Sequence, residues 1–101
     1  MSVAELLENK LREQFCVNFL QVVNESHRHH VPRGSESHFK VTLVSEAFAG
    51  QKLIARHRLV NECLNELLEG PIHALALHTY TPEEWQKRAG EAPKTPNCVG
   101  S

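Results

Sequence analysis

Histidine is the side chain in this sequence whose number and placement most clearly invite a chemical role. Four of the seven histidines fall in one short stretch, residues 26–38, which reads SHRHHVPRGSESH. They are His27, His29, His30 and His38. A neutral imidazole is a good ligand for iron and other transition metals. Metal binding is therefore the functional hypothesis for this stretch. The alternative is a flexible polar loop without a specific function.

Other reactive groups give weaker signals. The three cysteines, Cys16, Cys63 and Cys98, are odd in number and widely spaced, so they form neither a disulfide framework nor a zinc-binding pattern. Reduced thiols in a cytosol-like compartment are the simplest interpretation. The chain has no aspartate, which rules out a Ser-His-Asp arrangement, and no acid pair stands out. The residues therefore offer no recognisable catalytic arrangement.

The charge is almost balanced overall but uneven along the chain. A net charge of −1 argues against bulk binding of nucleic acid, which usually needs a strong positive field. Residues 27–58 nevertheless carry six basic and two acidic side chains, a local charge of +4. No GxxG clamp for single strands is present. The candidates for contacts with the phosphates of double-stranded DNA are Lys52, Arg56, Arg58 and Arg33.

The first half of the chain predicts one helix and two strands. Apolar residues recur at helical spacing over 2–15, and Ser2 with Glu5 fits a capping box. Residues 17–25 are rich in Val and Phe and predict a strand, while 38–45 alternates as a half-buried strand does. The histidine-rich stretch thus joins two antiparallel strands. It is longer than most hairpin loops, and such excess is often functional.

The second half predicts the order helix, strand, helix. Residues 52–68 form the strongest helix, with Leu53 among its apolar stripe, and 72–79 form a strand that carries His73. Thr81 caps a last short helix, from which Trp85 would close against the core. The order αββαβα predicts an α+β fold, a three-stranded mixed sheet with the helices packed on one face.

The length suits a single domain, which we place at residues 1–88, followed by a flexible tail at 89–101. The N-terminus contains acidic residues and no apolar signal core, so we expect no export signal. No apolar run approaches the length of a membrane helix, and we expect no membrane partner. The expected location is the cytoplasm.

Three segments together resemble the BolA family, and its bacterial branch most closely. They read NESHRHHVPRGSESHFKVTLVSEAF, RHRLV and GPIHALALHTYTPEEW. The resemblance covers roughly residues 3–86 in one order without a large gap. It implies a fold similar to class II KH domains, which agrees with the order of elements predicted above.

The resemblance implies a role in iron-sulfur chemistry. BolA proteins pair with monothiol glutaredoxins and share a [2Fe-2S] cluster, for which glutaredoxin and glutathione supply thiolates and BolA supplies histidine. Carried over by position, the fixed ligand is His73 and the loop ligand is His29. His27, His30 and His57 remain alternatives. No cluster is expected in the isolated chain.

The resemblance also implies a second role. Bacterial members of the family are described as DNA-binding transcriptional regulators of cell shape, stress response and biofilm formation. Double-stranded DNA is therefore an alternative partner. The resemblance implies no catalytic activity, so we predict that the protein is not an enzyme.

Overall fold

A computed structural model describes residues 2–26 and 36–88 and shows three strands and four α-helices in that part of the chain. A short 3-10 helix, Glu46–Phe48, follows the second strand. The elements in chain order are α1 (Val3–Gln14), β1 (Val17–Asn24), β2 (His38–Ser45), α2 (Leu53–Cys63), α3 (Asn65–Glu69), β3 (Ala74–Tyr80) and α4 (Pro82–Lys87). No helix in these two ranges is both long and apolar enough to cross a membrane.

The three strands form one sheet with β2 in the middle. β1 pairs with β2 in the antiparallel sense, and β3 pairs with β2 in the parallel sense. The parallel register sets Phe39 beside Leu75 and Val41 beside Leu77. The α+β fold with a mixed three-stranded sheet is thereby confirmed, and the predicted bounds of β2 agree with the structure.

The main core lies between one face of the sheet and helices α1 to α3. Side chains on that face alternate inward, as strand geometry requires. The core residues, each at most 9% exposed, are Leu7, Leu11, Phe15, Phe39, Val41, Leu43, Phe48, Val60, Leu64, Leu67, Ile72 and Leu77. Burial of this cluster is the largest favourable contribution to folding.

Two carboxylates hold the start of α1. The predicted capping box is present: the Ser2 hydroxyl accepts from the amide of Glu5, and the Glu5 carboxylate accepts from that of Ser2. Glu36, just before β2, also accepts from the amides of Val3 and Ala4 at 3.2 and 3.3 Å. Both acids sit at the positive end of the helix dipole, where negative charge is favourable.

The predicted long helix at 52–68 is divided. α2 ends at Cys63, and Leu64, fully buried with φ −100° and ψ 11°, separates it from α3. Leu53 does not join the core as expected but is 62% exposed. It lies in the first turn of α2, where it lines a surface hollow beside Tyr80 and Arg88.

The last helix, α4, does not pack on the same face of the sheet as the other helices, although the prediction placed all helices on one face. Trp85 does not join the main core. It stacks on Phe19, with ring centroids 5.1 Å apart, and packs at a tilt against Tyr80, with centroids 5.3 Å apart. These two residues flank Val44 in one row across the sheet, on the face opposite Leu43. α4 therefore caps one end of the second face.

Arg56 ties α2 to the other half of the domain. Only 6% exposed, it donates from Nε to the carbonyl of Gln51 at 2.9 Å and from Nη1 to that of Thr79 at 3.2 Å. Its guanidinium also forms a two-pronged ion pair with Glu84, at 2.6 and 3.0 Å, and lies over the ring of Phe48. Hydrogen bonds from Arg56 lower the pKa of the Glu84 carboxyl from 4.5 to about 2.

We expect Arg56→Ala to lower the free energy of unfolding by about 3 kcal/mol, because it removes a buried charge, the partner of Glu84 and the donor to two carbonyls. Urea unfolding followed by Trp85 fluorescence measures this. Arg58→Ala, at an exposed position on the same helix, is the matched control and should change stability little. Equal effects of the two substitutions would contradict the role given to Arg56.

A buried histidine makes stability depend on pH. His78 in β3 is 4% exposed, and its Nε2 atom has no hydrogen-bond partner. Burial, followed by the charges of Lys40, Arg88 and His57, lowers the pKa of His78 from 6.5, whereas Glu25 raises it. Below its ordinary pKa, the unfolded chain therefore binds a proton that the folded chain resists. The contribution of neutral His78 to the free energy of unfolding is therefore fully present above pH 6.5 and is lost as the pH falls below this value.

We expect the free energy of unfolding to decrease between about pH 7 and pH 5, and to decrease less in His78→Gln. Urea titrations of both proteins at matched pH values measure the two slopes. Burial and then Arg56 lower the pKa of His57 as well, and the lowered pKa of Glu84 begins to contribute near pH 5, so both groups contribute to the slope that remains in the variant. Identical slopes in the two proteins would show that His78 does not control this dependence.

Candidate functional site

His73 is exposed at the entrance to β3. The strand begins at Ala74, two residues later than predicted, so His73 lies just outside it rather than on a strand face with Leu75 and Leu77. The backbone amides of His73 and Ala74 both donate to the carbonyl of Ser37, at 2.8 and 3.1 Å. Its backbone is therefore fixed while its imidazole is accessible, as a ligand to a partner's metal must be.

A second histidine that sequence reasoning did not select lies beside it. The ring centroids of His38 and His73 are 6.3 Å apart, with 53° between the ring planes. Nδ1 of His38 lies 2.8 Å from the Ser37 hydroxyl. The parallel register of β2 and β3 causes this proximity, because it aligns the two strand starts. Sequence could have indicated the pair only if that register were known.

The ends of the histidine-rich loop meet at the same place. The hydroxyl of Ser26, 3% exposed, accepts from the amides of Ser37 and His38, both at 3.0 Å. One buried side chain thus closes the loop at its base, beside His73. The predicted loop ligand His29, its alternatives His27 and His30, and the predicted DNA contact Arg33 lie outside the described residues.

His57, the remaining alternative ligand, belongs to a different surface. It is partly buried on α2 and lines a groove with Arg58 and Asn61, to which His73 does not contribute. Within residues 2–26 and 36–88, no three His, Cys, Asp or Glu side chains are grouped as a metal site would require. The exposed region around His38 and His73 is called the histidine surface below. A metal bound there would need additional ligands from elsewhere.

The predicted DNA contacts divide in the same way. Lys52 and Arg58 are exposed at the start and on the outer side of α2. Arg56 is not available as predicted, because its guanidinium is buried and committed to Glu84 and two carbonyls. We correct its assignment from a phosphate contact to a structural ion pair.

Comparison with known proteins gives one consistent family. The profile of the family described as BolA-like protein matches residues 11–84. The chain is 56% identical to the DNA-binding transcriptional regulator BolA of Vibrio cholerae over 97% of this chain and 92% of that protein. It is 50% identical to the Escherichia coli protein of the same name, over 100% and 96%.

A solved structure agrees with the sequence matches. The solution structure of BolA1 from Mus musculus superposes with a TM-score of 0.84 at 41% identity, covering 99% of this chain and 80% of that one. Fold, family profile and near-complete relatives point the same way: the chain belongs to the BolA family.

Proposed function

We propose that this protein is a DNA-binding transcriptional regulator of the BolA type. The observation that supports this most is the near-complete similarity to two bacterial proteins that carry that description. The surface contributes a second argument. Lys52 and Arg58 stand exposed around the start of α2, where Lys52 is the N-cap residue and the helix dipole adds positive potential.

A surface with two exposed cations grips phosphates without reading bases. Such contacts fix the orientation of a protein on DNA, and sequence preference has to come from other side chains or from DNA shape. On α2 the neighbouring exposed polar residue is Asn61, one turn beyond Arg58 and of a type that pairs with adenine. This helix face therefore combines phosphate contacts with one candidate for base recognition.

We expect Lys52→Ala/Arg58→Ala to weaken duplex binding roughly tenfold and to lower the salt slope of log affinity by roughly 2, one unit for each lost phosphate contact. The ligand is a duplex selected from a random-sequence pool by the unmodified protein, and fluorescence anisotropy measures affinity. Lys10→Ala/Arg12→Ala, on α1, removes the same charge elsewhere and should have little effect. Failure to enrich any sequence, with binding gone at moderate salt, would count against this function.

A second function is favoured by the histidine surface. We infer that His73 is a ligand to a [2Fe-2S] cluster shared with a monothiol glutaredoxin, in iron-sulfur trafficking or in iron and redox sensing. The supporting observation is an accessible imidazole on a backbone held by Ser37, next to the base of a histidine-rich loop. The partner and glutathione would supply thiolates, and histidine in place of thiolate raises the potential of the cluster.

The chemistry of the described residues suits this role. The backbone of His73 is fixed before any partner arrives, so less conformational freedom is lost on binding than for a loop residue. His29 would be the second ligand, supplied by the loop. We expect the cluster to exist only in the complex, because the partner and glutathione would supply its thiolate ligands.

We expect His73→Ala to abolish the spectrum of the mixed complex without unfolding the domain, because its ring contributes nothing to the core. Reconstitution with a monothiol glutaredoxin, glutathione, iron and sulfide, followed by visible circular dichroism, measures this. His57→Ala is the control and should keep the wild-type spectrum. A cluster spectrum unchanged in His73→Ala, or lost equally in both variants, would refute the assignment.

A further inference from the structure

β1 forms one edge of the sheet and lacks the usual protection of an edge strand. Only β2 pairs with it in the part of the chain that the structure describes. Its eight residues, VNFLQVVN, contain no charged side chain and no proline. Charges and prolines are devices by which proteins prevent an edge strand from pairing with another chain. A β-bulge between Val17 and Phe19 interrupts the ladder only at the beginning of the strand.

The backbone of β1 offers hydrogen-bonding groups along this edge. The amide of Glu25 donates to the carbonyl of His38, across the antiparallel pair. Because bonded residues alternate along an antiparallel strand, the backbone groups two and four residues earlier also point to β2. Those of Leu20 and Val22 point away from it. Neither residue forms another backbone hydrogen bond in the described part of the chain, so these groups have no partner there.

The opposite edge of the sheet, at β3, is partly closed. The amide of Ala74 donates to the carbonyl of Ser37, so alternate residues from Ala74 onward point to β2. Thr79 points the other way, and its carbonyl accepts from Nη1 of Arg56 at 3.2 Å. An arginine from α2 thus occupies a backbone acceptor on this edge. Since β1 receives no such contact at its outward groups, it is the edge that suits the addition of a strand.

The sequence of β1 is compatible with its own reversed copy. A twofold axis perpendicular to the sheet at Gln21 sets Leu20 of each copy against Val22 of the other. These residues have their backbone groups on the outer edge, so each Leu20–Val22 pair can exchange two hydrogen bonds. On the face that carries Gln21, Phe19 of one copy lies opposite Val23 of the other, a favourable aromatic and β-branched pair. Gln21 faces Gln21, and no like charges meet.

We propose that the β1 edge is a docking surface for a second copy of the chain, which joins two three-stranded sheets into one of six strands. An isologous contact uses the same patch twice, so it requires a strand that pairs with itself in the antiparallel sense. β1 meets this requirement in its backbone register, in its side-chain pairs and in its lack of charge. The proposal goes beyond both functions above and uses none of their contact residues.

A strand from a different protein fits this edge less specifically. It would use the same backbone groups, but β1 has no charged side chain that would select an oppositely charged partner. Cross-strand packing is then the main source of preference for one sequence over another. The chain's own β1 supplies that packing in the register centred on Gln21.

Sedimentation velocity over a range of protein concentrations measures self-association. We expect a reversible monomer–dimer equilibrium that changes little between about 0.05 M and about 0.5 M salt, because no charged pair lies in the contact. Sedimentation as a monomer at every concentration would overturn the proposal and leave the edge to an extended segment of another protein.

Amide hydrogen exchange identifies the edge within the dimer. In the monomer the amides of Leu20 and Val22 point to solvent and should exchange fast, whereas those of Gln21 and Val23 are bonded to β2. Dimerisation should slow exchange at Leu20 and Val22 at least roughly tenfold and change Gln21 and Val23 much less. A dimer in which Leu20 and Val22 exchange as in the monomer would place the contact on another surface and overturn the proposal.

Charge at the twofold axis provides an independent test. Gln21→Lys and Gln21→Glu each set like charges directly opposite one another, so each variant alone should self-associate at least roughly tenfold more weakly. An equimolar mixture should form a heterodimer, because opposite charges then meet, and its recovery also shows that both variants are folded. Gln51→Lys, the same substitution at an exposed position outside the sheet, is the matched control and should dimerise as the wild type does. Undiminished dimerisation of both Gln21 variants, or a mixture that stays monomeric, would contradict pairing through β1.

Discussion

The position of β2 at the centre of the sheet, with an antiparallel neighbour on one side and a parallel neighbour on the other, determines where chemistry is placed. Antiparallel pairing brings the end of β1 to the start of β2, and parallel pairing brings the start of β3 to the same point. Ser26, Ser37, His38 and His73 converge there, although nearly fifty residues separate the first from the last. Strand polarity alone thus assembles the histidine surface, and a few hydrogen bonds fix it.

Arg56 plays the corresponding part at the other end of the domain. Its hydrogen bonds reach β3, the segment before α2 and the first turn of α4, so three parts of the chain depend on one buried guanidinium. Because Glu84 also closes a capping box with Thr81, the start of α4 and the ion pair share one carboxylate. The arginine that the sequence predicts as a DNA contact therefore stabilises the fold instead. The exposed cations on the same helix remain for partners.

Local features of the fold could be predicted from sequence, and long-range ones could not. The capping box at Ser2 and the position of β2 depend on residues a few positions apart, and the structure agrees with both. The half-buried alternation predicted for β2 is wrong for its second half, because Thr42, Val44 and Ser45 are buried as well as the core-facing residues. The partner of Arg56 lies 28 residues away, and the proximity of His38 to His73 depends on the strand register. A pattern of residue types along the chain does not show which residues, far apart in sequence, come into contact. The break at Leu64 could not be predicted from sequence, because no proline or glycine marks it.

The contact of Glu36 with the start of α1 has a practical consequence at the bench. Its carboxylate is held by the amides of Val3 and Ala4, and the next residue, Ser37, holds the backbone of His73. The beginning of α1 is therefore connected to the histidine surface through two adjacent residues, Glu36 and Ser37. A polyhistidine purification tag fused ahead of Ser2 would bring extra imidazoles close to the histidine surface. It would also disturb the N-terminal cap of α1. Metal titrations of such a fusion would report on the tag as much as on the protein.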